Sequence, residues 1–109
     1  MEYEIKAAKY LEKNGYKIIE KNFYSSHSEI DIVAIDKNYI VFIEVKYRKN
    51  NKKGSPLESV NYKKRNRIIK GAKYYLHKYY YNQDVEVRFD VVSIEGEDIT
   101  IIKDAFWIE

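Results

Sequence analysis

The stretch that decides the fold is SEIDIVAIDKNYIVFIEVKYR, residues 28–48. Two apolar runs flank a short polar turn, which is typical of a β-hairpin. Asp31 and Glu44 lie inside these apolar runs, and Lys46 follows Glu44 two positions later. Because burying a charge costs free energy unless the charge is paired or binds a metal, these three residues need partners.

The register of this hairpin follows from its turn. If residues 37–38 are the two central turn residues, opposed residues have numbers that sum to 75. Asp31 then faces Glu44 and Glu29 faces Lys46, all four on one face of the hairpin. Both faces are otherwise apolar and expected to be buried: the first carries Val33, Ile35, Ile40 and Phe42, and the second carries Ile30, Ile32, Val41, Ile43 and Val45.

Two directly opposed carboxylates repel each other, so something must compensate for Asp31 and Glu44. One solution is a raised pKa on one of them. Another is a divalent cation, for which two carboxylates and a backbone carbonyl are ordinary ligands, with Lys46 holding a water beside it. The structural alternative is a buried ladder of ion pairs in which Glu29 pairs with Lys46.

Length and composition limit the class of protein. A chain of 109 residues predicts one domain, and 45% hydrophobic with 34% charged residues is ordinary for a globular protein. No apolar run approaches the roughly 20 residues of a membrane span, so no membrane association is expected. The chain has no cysteine and its first residues are amphipathic with mixed charge, so we expect a cytoplasmic protein.

Positive charge is concentrated in one third of the chain. Residues 46–78 contain twelve Lys and Arg and a single acid, Glu58, which leaves −8 for the rest of a chain whose net charge is +3. Such a block usually indicates a polyanion partner, although a solvated lysine-rich surface is the alternative. The basic residues expected to contact nucleic acid are Arg48, Lys49, Lys52, Lys53, Lys63, Lys64, Arg65 and Arg67.

Tyrosines accompany this basic segment. Five of them cluster near the end of the second helix and are expected to pack on the sheet rather than to stack on bases: Tyr74, Tyr75, Tyr79, Tyr80 and Tyr81. Tyr47 and Tyr62 flank the basic loop and are better candidates for nucleic-acid contact.

The remaining elements follow from periodicity and from start and stop signals. Helical spacing over residues 2–14 ends at Gly15, and a capping box at residues 55–58 starts a helix, or a short helix and a longer one, that runs to about Tyr81. Strands are predicted at 16–23, 29–35, 39–47, 85–94 and 99–103. The order α-β-β-β-α-β-β predicts an α/β fold with a mixed central sheet flanked by helices.

Asp31 followed by Glu44-Val45-Lys46 on the adjacent strand resembles the signature of the restriction-endonuclease-like PD-(D/E)xK nuclease superfamily. The chain more closely resembles the YraN family of small bacterial proteins, over nearly its whole length, and is similar in the same core to archaeal Holliday junction resolvases. The landmarks are Glu4-Ile5-Lys6-Ala7-Ala8, Asn14-Gly15-Tyr16-Lys17-Ile18-Ile19, Glu29-Ile30-Asp31-Ile32-Val33-Ala34, Val41-Phe42-Ile43-Glu44-Val45-Lys46, Gly54-Ser55-Pro56, Lys64, Arg88-Phe89-Asp90-Val91-Val92 and Asp104-Ala105-Phe106.

The resemblance implies a restriction-endonuclease-like α-β-β-β-α-β core, with residues 1–109 as a single endonuclease-like domain. It implies Mg²⁺ or Mn²⁺ as cofactor, with Asp31, Glu44, the Val45 carbonyl and Glu4 as metal ligands. For Glu4 a favourable charge in the first turn of a helix is an equal alternative. Lys46 would position or activate the attacking water, Glu29 would pair with or orient Lys46, and Lys64 would face the site or a phosphate.

The expected function is a Mg²⁺-dependent nuclease-like activity on DNA, structured or branched, by attack of an activated water on a phosphodiester. Contacts would be mainly with phosphates, so little sequence specificity is expected. Two alternatives stay open: a nucleic-acid-binding accessory protein with a vestigial nuclease core, and an RNA-processing nuclease. Nucleases of branched DNA are frequently dimers, which makes a homodimer an expectation here as well.

Overall fold

The computed structural model describes residues 2–26, 28–49 and 61–107. The elements are α1 (Glu2–Lys13), β1 (Lys17–Tyr24), β2 (Glu29–Asp36), β3 (Tyr39–Arg48), α2 (Tyr62–Tyr79), β4 (Glu86–Glu95) and β5 (Asp98–Phe106). The predicted order α-β-β-β-α-β-β is confirmed, and β5 is longer than expected. The predicted capping box lies outside the described residues; α2 is capped by Asn61, whose side chain accepts from the Lys64 N–H.

The five strands form one mixed sheet in the order β1-β2-β3-β4-β5. All neighbours are antiparallel except β3 and β4, which are parallel and are connected through α2. The β2–β3 ladder runs from Ile32 opposite Ile43 to Asp36 opposite Tyr39, which is the predicted register. The α/β class with a mixed sheet between helices is thus confirmed, in the element order that the resemblance implied.

A hydrophobic core lies on each face of the sheet. The core under α1 contains Ala7, Ala8, Leu11, Tyr16, Ile32, Ala34, Val41, Ile43, Val92 and Ile94. The core under α2 contains Phe23, Ile30, Val33, Ile40, Phe42, Ile68, Ala72, Tyr75, Phe89, Val91 and Phe106. The prediction that both faces of the hairpin are buried is therefore confirmed.

Ile30 lies on the other face of the sheet from the one predicted. It packs under α2, where a Cβ added at Gly71 would approach its Cδ1 to 3.3 Å, whereas Ile32 packs under α1. Ile30 remains paired with Phe23 of β1, which belongs to the same core under α2. Ile32 belongs to the opposite core, so the regular alternation of faces along β2 is interrupted at Asp31. The side chain just before Asp31 therefore faces α2 instead of α1.

A network of charged side chains joins the strands at the far end of the hairpin from Asp31. Arg88 donates to Asp36 at 2.7 Å and to both carboxylate oxygens of Asp90 at 2.8 and 2.9 Å. Asp90 is 0% exposed and also accepts from the Tyr16 hydroxyl at 2.6 Å, and Lys103 donates to Asp36 at 3.2 Å. Because each buried charge has several partners, the network ties β2, β4 and β5 to the end of α1.

Neither of the two described helices has the length and apolar character that crossing a membrane requires.

Candidate active site

Asp31 and Glu44 form a carboxyl pair where the β2–β3 ladder ends. Asp31 Oδ2 accepts from the Val45 N–H at 2.8 Å, and Glu44 is 4% exposed. Burial and, after it, the charge of Glu44 raise the pKa of Asp31 to about 8. The register thus brings the two carboxyls together as predicted, and burial beside Glu44 favours the protonated form of Asp31.

Two lysines neutralise Glu44 from different elements. Lys46 Nζ on β3 lies 3.4 Å from Glu44 Oε2, and Lys64 Nζ on α2 lies 2.5 Å from the same oxygen. Burial lowers the pKa of Lys46, and the neighbouring Lys64 ammonium lowers it further. Burial is the largest single influence on Lys64 and acts to lower its pKa, but the bonds to Glu44 and Lys46 together with the charges of Glu44 and Asp31 outweigh it, so that pKa is raised. Lys46 is therefore the amine that gives up its proton more readily.

The predicted pairing of Glu29 with Lys46 is wrong. In the described part of the chain Lys46 pairs with Glu44, and Glu29 is exposed on the side of α1. The physical reason is the end of the β2–β3 ladder at Ile32, which leaves Glu29 without a fixed position opposite β3. The ion-pair ladder considered for this face of the hairpin accordingly does not form.

Glu29 instead joins a second group of carboxylates. One carboxylate oxygen from each of Glu4, Glu29 and Asp31 lies within 4.8 Å of the others. In the amide orientation that satisfies both neighbours, the Asn22 nitrogen donates to Glu4 at 3.0 Å and to Glu29 at 3.1 Å. Three carboxylates around one point are an arrangement that a divalent cation can bind.

Asn22 was missed by reasoning from the sequence. It lies in β1 with φ 54°, a left-handed conformation that asparagine tolerates better than other non-glycine residues. Asparagine is depleted in strands, so its place in an otherwise strand-like segment was the one available signal.

A stacked pair of tyrosines fixes the start of α1 against the end of β3. The Tyr3 and Tyr47 rings lie 3.9 Å apart with 15° between their planes, and a hydrogen bond between the hydroxyls is the main cause of a raised Tyr3 pKa. Because Glu4 follows Tyr3 directly, this stack holds the first turn of α1 where Glu4 reaches Asp31.

The carboxylates of this site line a cavity of about 330 Å³, which Lys46 does not line. It is lined by Glu4, Ser28, Glu29, Asp31, Glu44, Val45, Lys64, Arg67 and Ile68. The carboxylates come from α1, β2 and β3, and the cations Lys64 and Arg67 come from the first turns of α2. Such a cavity can hold a divalent cation on its acidic side and a phosphate on its basic side.

Comparison with known proteins identifies the family. The family model described as "Uncharacterised protein family UPF0102" matches residues 3–94. The chain belongs to UPF0102. It is 46% identical to a UPF0102 protein of Lachnoclostridium phytofermentans over 94% of this chain and 87% of that protein. It is 51% identical to one of Clostridium perfringens (92% and 86% covered) and 44% identical to one of Fusobacterium nucleatum (97% and 88% covered). The resemblance to the YraN family is thereby confirmed.

The basic residues predicted to bind nucleic acid are distributed unevenly in this UPF0102 chain. Lys64 and Arg67 line the carboxylate cavity, and Lys49 and Lys63 are exposed outside it. Arg48 pairs with Glu95 on β4 at 3.2 Å, which holds it against the sheet. The remaining residues are Arg65, which lies on another flank of α2 at 5.6 Å from the Phe106 ring, and Lys52 and Lys53, which lie outside the described residues.

The prediction that the tyrosines near the end of α2 pack on the sheet is confirmed in part. Tyr75 is buried, and Tyr74 and Tyr79 place their rings within 6.4 Å of the Phe23 ring while staying half exposed. Tyr81 is exposed and contacts His77. Tyr80 is partly buried and packs against the same core. Packing on the sheet therefore accounts for Tyr74, Tyr75, Tyr79 and Tyr80, and Tyr81 lies outside the core.

Proposed function

We propose that this protein is a Mg²⁺-dependent nuclease that hydrolyses phosphodiesters in DNA, with structured or branched DNA as substrate. The observation that carries the proposal is the Asp31–Glu44 pair, two adjacent carboxyls on neighbouring strands with Lys46 beside them and an open cavity in front. Two opposed and buried carboxyls oppose folding by their repulsion and desolvation, which favours a ligand-binding role for the pair.

The donor set fits a divalent cation. The pKa of Asp31 is raised because burial and the charge of Glu44 disfavour its ionised form. A cation bound beside Asp31 would stabilise that ionised form. Asp31, Glu44 and the Val45 carbonyl, with Glu4 from α1, are the proposed ligands. The chemistry that Mg²⁺ supplies in such sites is neutralisation of phosphate charge and activation of a water nucleophile.

The lysines have separate proposed roles. Lys46 is partly buried and its pKa is lowered, which suits a group that orients the attacking water and accepts a proton from it. Lys64 keeps a raised pKa and enters the cavity from α2 together with Arg67, which suits contacts to phosphate oxygens. Lys64 would then exchange its bond to Glu44 for a bond to the substrate.

Cleavage of a panel of DNA substrates tests this proposal. Linear duplex, single-stranded, flap and four-way DNA, with an RNA hairpin as a further substrate, would be incubated with Mg²⁺, Mn²⁺ or chelator. We expect metal-dependent cleavage of a branched or flap substrate, lost in Asp31→Asn and Lys46→Ala. Removing an oriented proton acceptor typically lowers the rate by about 10²–10⁴-fold.

A DNA-binding assay distinguishes loss of the catalytic group from loss of the folded protein. Lys46→Ala should bind DNA nearly as well as the wild type, because it removes one cation among many. Lys103→Met, which removes a lysine of the distant Asp36 network, serves as the matched control and should cleave normally. If no substrate is cut under any condition and DNA is still bound, the accessory-protein alternative replaces the nuclease proposal. If only RNA is cut, RNA replaces DNA as the proposed substrate.

A further inference from the structure

A second cavity, here called the α2–β5 groove, lies between α2 and the end of β5. Its volume is about 320 Å³. It is lined by Tyr62, Arg65, Asn66, Ile69, Lys70, Lys73, Ala105, Phe106 and Trp107. None of these residues lines the carboxylate cavity, so the groove is a separate site.

Helical geometry places the two cavities on different flanks of α2. Arg65, Ile69 and Lys73 repeat every four residues and therefore share the flank that faces β5. Lys64 and Arg67 lie on the flank that faces the carboxylates. Since an α-helix with its side chains is about 10–12 Å wide, one nucleic-acid strand crossing α2 can contact both sites.

The groove combines flat apolar surface with positive charge. Phe106 is buried and forms part of its base, and the large rings of Tyr62 and Trp107 are 73% and 63% exposed. The Arg65 guanidinium lies 5.6 Å from the Phe106 ring centroid, and Lys70 and Lys73 complete the positive side. None of the described residues that line the groove is acidic.

These features select a ligand with a planar face and a phosphate charge. A metal ion is excluded because the groove offers cations and aromatic rings rather than carboxylates. An acidic peptide would use the lysines but leave the exposed Trp107 and Tyr62 rings without a planar partner. A cavity near the lower limit of small-molecule sites admits one base rather than a duplex.

We propose that the α2–β5 groove binds an unpaired nucleotide of single-stranded DNA, with the base stacked on Trp107 or Tyr62 and the phosphates on Lys70 and Lys73. The inference deepens the proposed function, on which it rests for the choice of DNA. It identifies the substrate class as DNA with unpaired nucleotides beside the cleaved phosphate. A flap or an open junction meets this requirement, and a blunt duplex does not.

Trp107 is the only tryptophan of the chain, so its fluorescence reports on the groove alone. The full chain would be titrated with a thymidine oligonucleotide of about ten nucleotides, within the length that single-strand-binding domains cover. We expect saturable quenching that weakens with salt. A blunt duplex should quench far less.

Variants of the groove test the role of each side chain. In a binding assay with a labelled oligonucleotide, Trp107→Ala should weaken affinity roughly tenfold, since stacking on one aromatic ring contributes about this much. Lys70→Gln with Lys73→Gln should weaken it further and reduce the logarithmic salt slope by about 0.7 for each phosphate that the variant no longer neutralises. Lys9→Gln with Lys13→Gln on α1 is the matched control and should change neither value.

The outcomes separate this inference from the nuclease proposal. Asp31→Asn should quench like the wild type, so quenching in both proteins supports the groove even if no substrate is ever cleaved. No quenching by the oligonucleotide, equal quenching by a blunt duplex or by polyglutamate, or unchanged affinity in both groove variants would overturn the inference. Cleavage of branched DNA would leave the nuclease proposal standing in each of those cases.

Discussion

Asp31 lies where burial and a neighbouring carboxylate both favour its protonated form. Its pKa in the folded chain is about 8, against about 3.9 for a free aspartate. Glu44 forms ion pairs with both Lys46 and Lys64. The lysines therefore balance the negative charge of Glu44, and the structure shows no such ion pair for Asp31 among the described residues.

The raised pKa of Asp31 predicts how metal-free stability depends on pH. Below about pH 4 the Asp31 carboxyl is protonated in both the folded and the unfolded chain and does not change the free energy of unfolding. As the pH rises from about 4 to 8 the unfolded chain ionises first, so the folded state loses stability in this window. Asp31→Asn removes the loss and should be more stable than the wild type at pH 8, by on the order of 2 kcal/mol because partial solvation screens the effect.

Urea unfolding of both proteins from pH 5 to 9, with chelator present, measures this difference. Adding Mg²⁺ should stabilise only the wild type, and more strongly at high pH, since cation binding competes with the proton on Asp31. Asp98→Asn, at the exposed first residue of β5, is the control. A stability difference between wild type and Asp31→Asn that does not change with pH would contradict the assigned pKa.

At the scale of elements, the position of α2 over the sheet depends on one close approach. Gly71 lies against Ser28 and Ile30, and a Cβ added there would overlap Ser28 Oγ. Among the described residues the buried Ser28 hydroxyl has no hydrogen-bond partner, so its replacement by alanine removes no hydrogen bond. The glycine therefore lets α2 pack closely against the first residues of β2. In this position of the helix, Lys64 contacts Glu44.

Gly71→Ala should consequently destabilise the protein, by about 1–3 kcal/mol, as expected for overpacking. This is opposite in sign to the usual gain of about 1 kcal/mol when alanine replaces glycine in a helix. Thermal or urea unfolding measures the change. Ser28→Ala removes the overlapping oxygen and should restore much of the stability in the double variant; an unchanged deficit would show that the overlap is not its cause.

The elements also show how far sequence reasoning reaches. The register that aligns Asp31 with Glu44 could be predicted because a two-residue turn and an alternating pattern are local features. The face of Ile30 could not, since it involves an interrupted alternation at Asp31 and packing close to Gly71, about 40 positions away. Asn22 beside Glu4 and Glu29, and the groove between α2 and β5, likewise combine segments whose proximity exists only in the folded chain.

At the scale of the whole molecule, two clusters of charged side chains lie at opposite ends of the β2–β3 hairpin and differ in how well their charges are balanced. The Asp36–Arg88–Asp90 network has its charges matched and satisfied, whereas the Asp31 site does not. Burial acts to raise the pKa of Asp36, but the bonds from Arg88 and Lys103 keep it below its ordinary value. The first centre thus supports the fold, and its contribution is lost only as the pH falls below about 4.

Arg88→Met should therefore cost about 3–5 kcal/mol, because it leaves the Asp36 and Asp90 carboxylates buried without their main partner. Lys103→Met removes a more exposed partner of Asp36 and should cost no more than about 1 kcal/mol. Chemical unfolding at pH 7 compares the two variants. Near-equal costs would mean that Arg88 does not hold the network together.

The single parallel strand pair, β3 with β4, has a consequence for how the chain folds. Ile40 pairs with Val87, 47 positions away, whereas Asp31 and Glu44 are 13 positions apart and belong to one hairpin. Closing a short loop is faster than joining distant strands, so the two carboxyls meet early and the β3–β4 pairing is the slow step. If a divalent cation binds the proposed Asp31–Glu44 site, it should relieve repulsion in the hairpin before the sheet is complete, and so accelerate folding as well as stabilise its product.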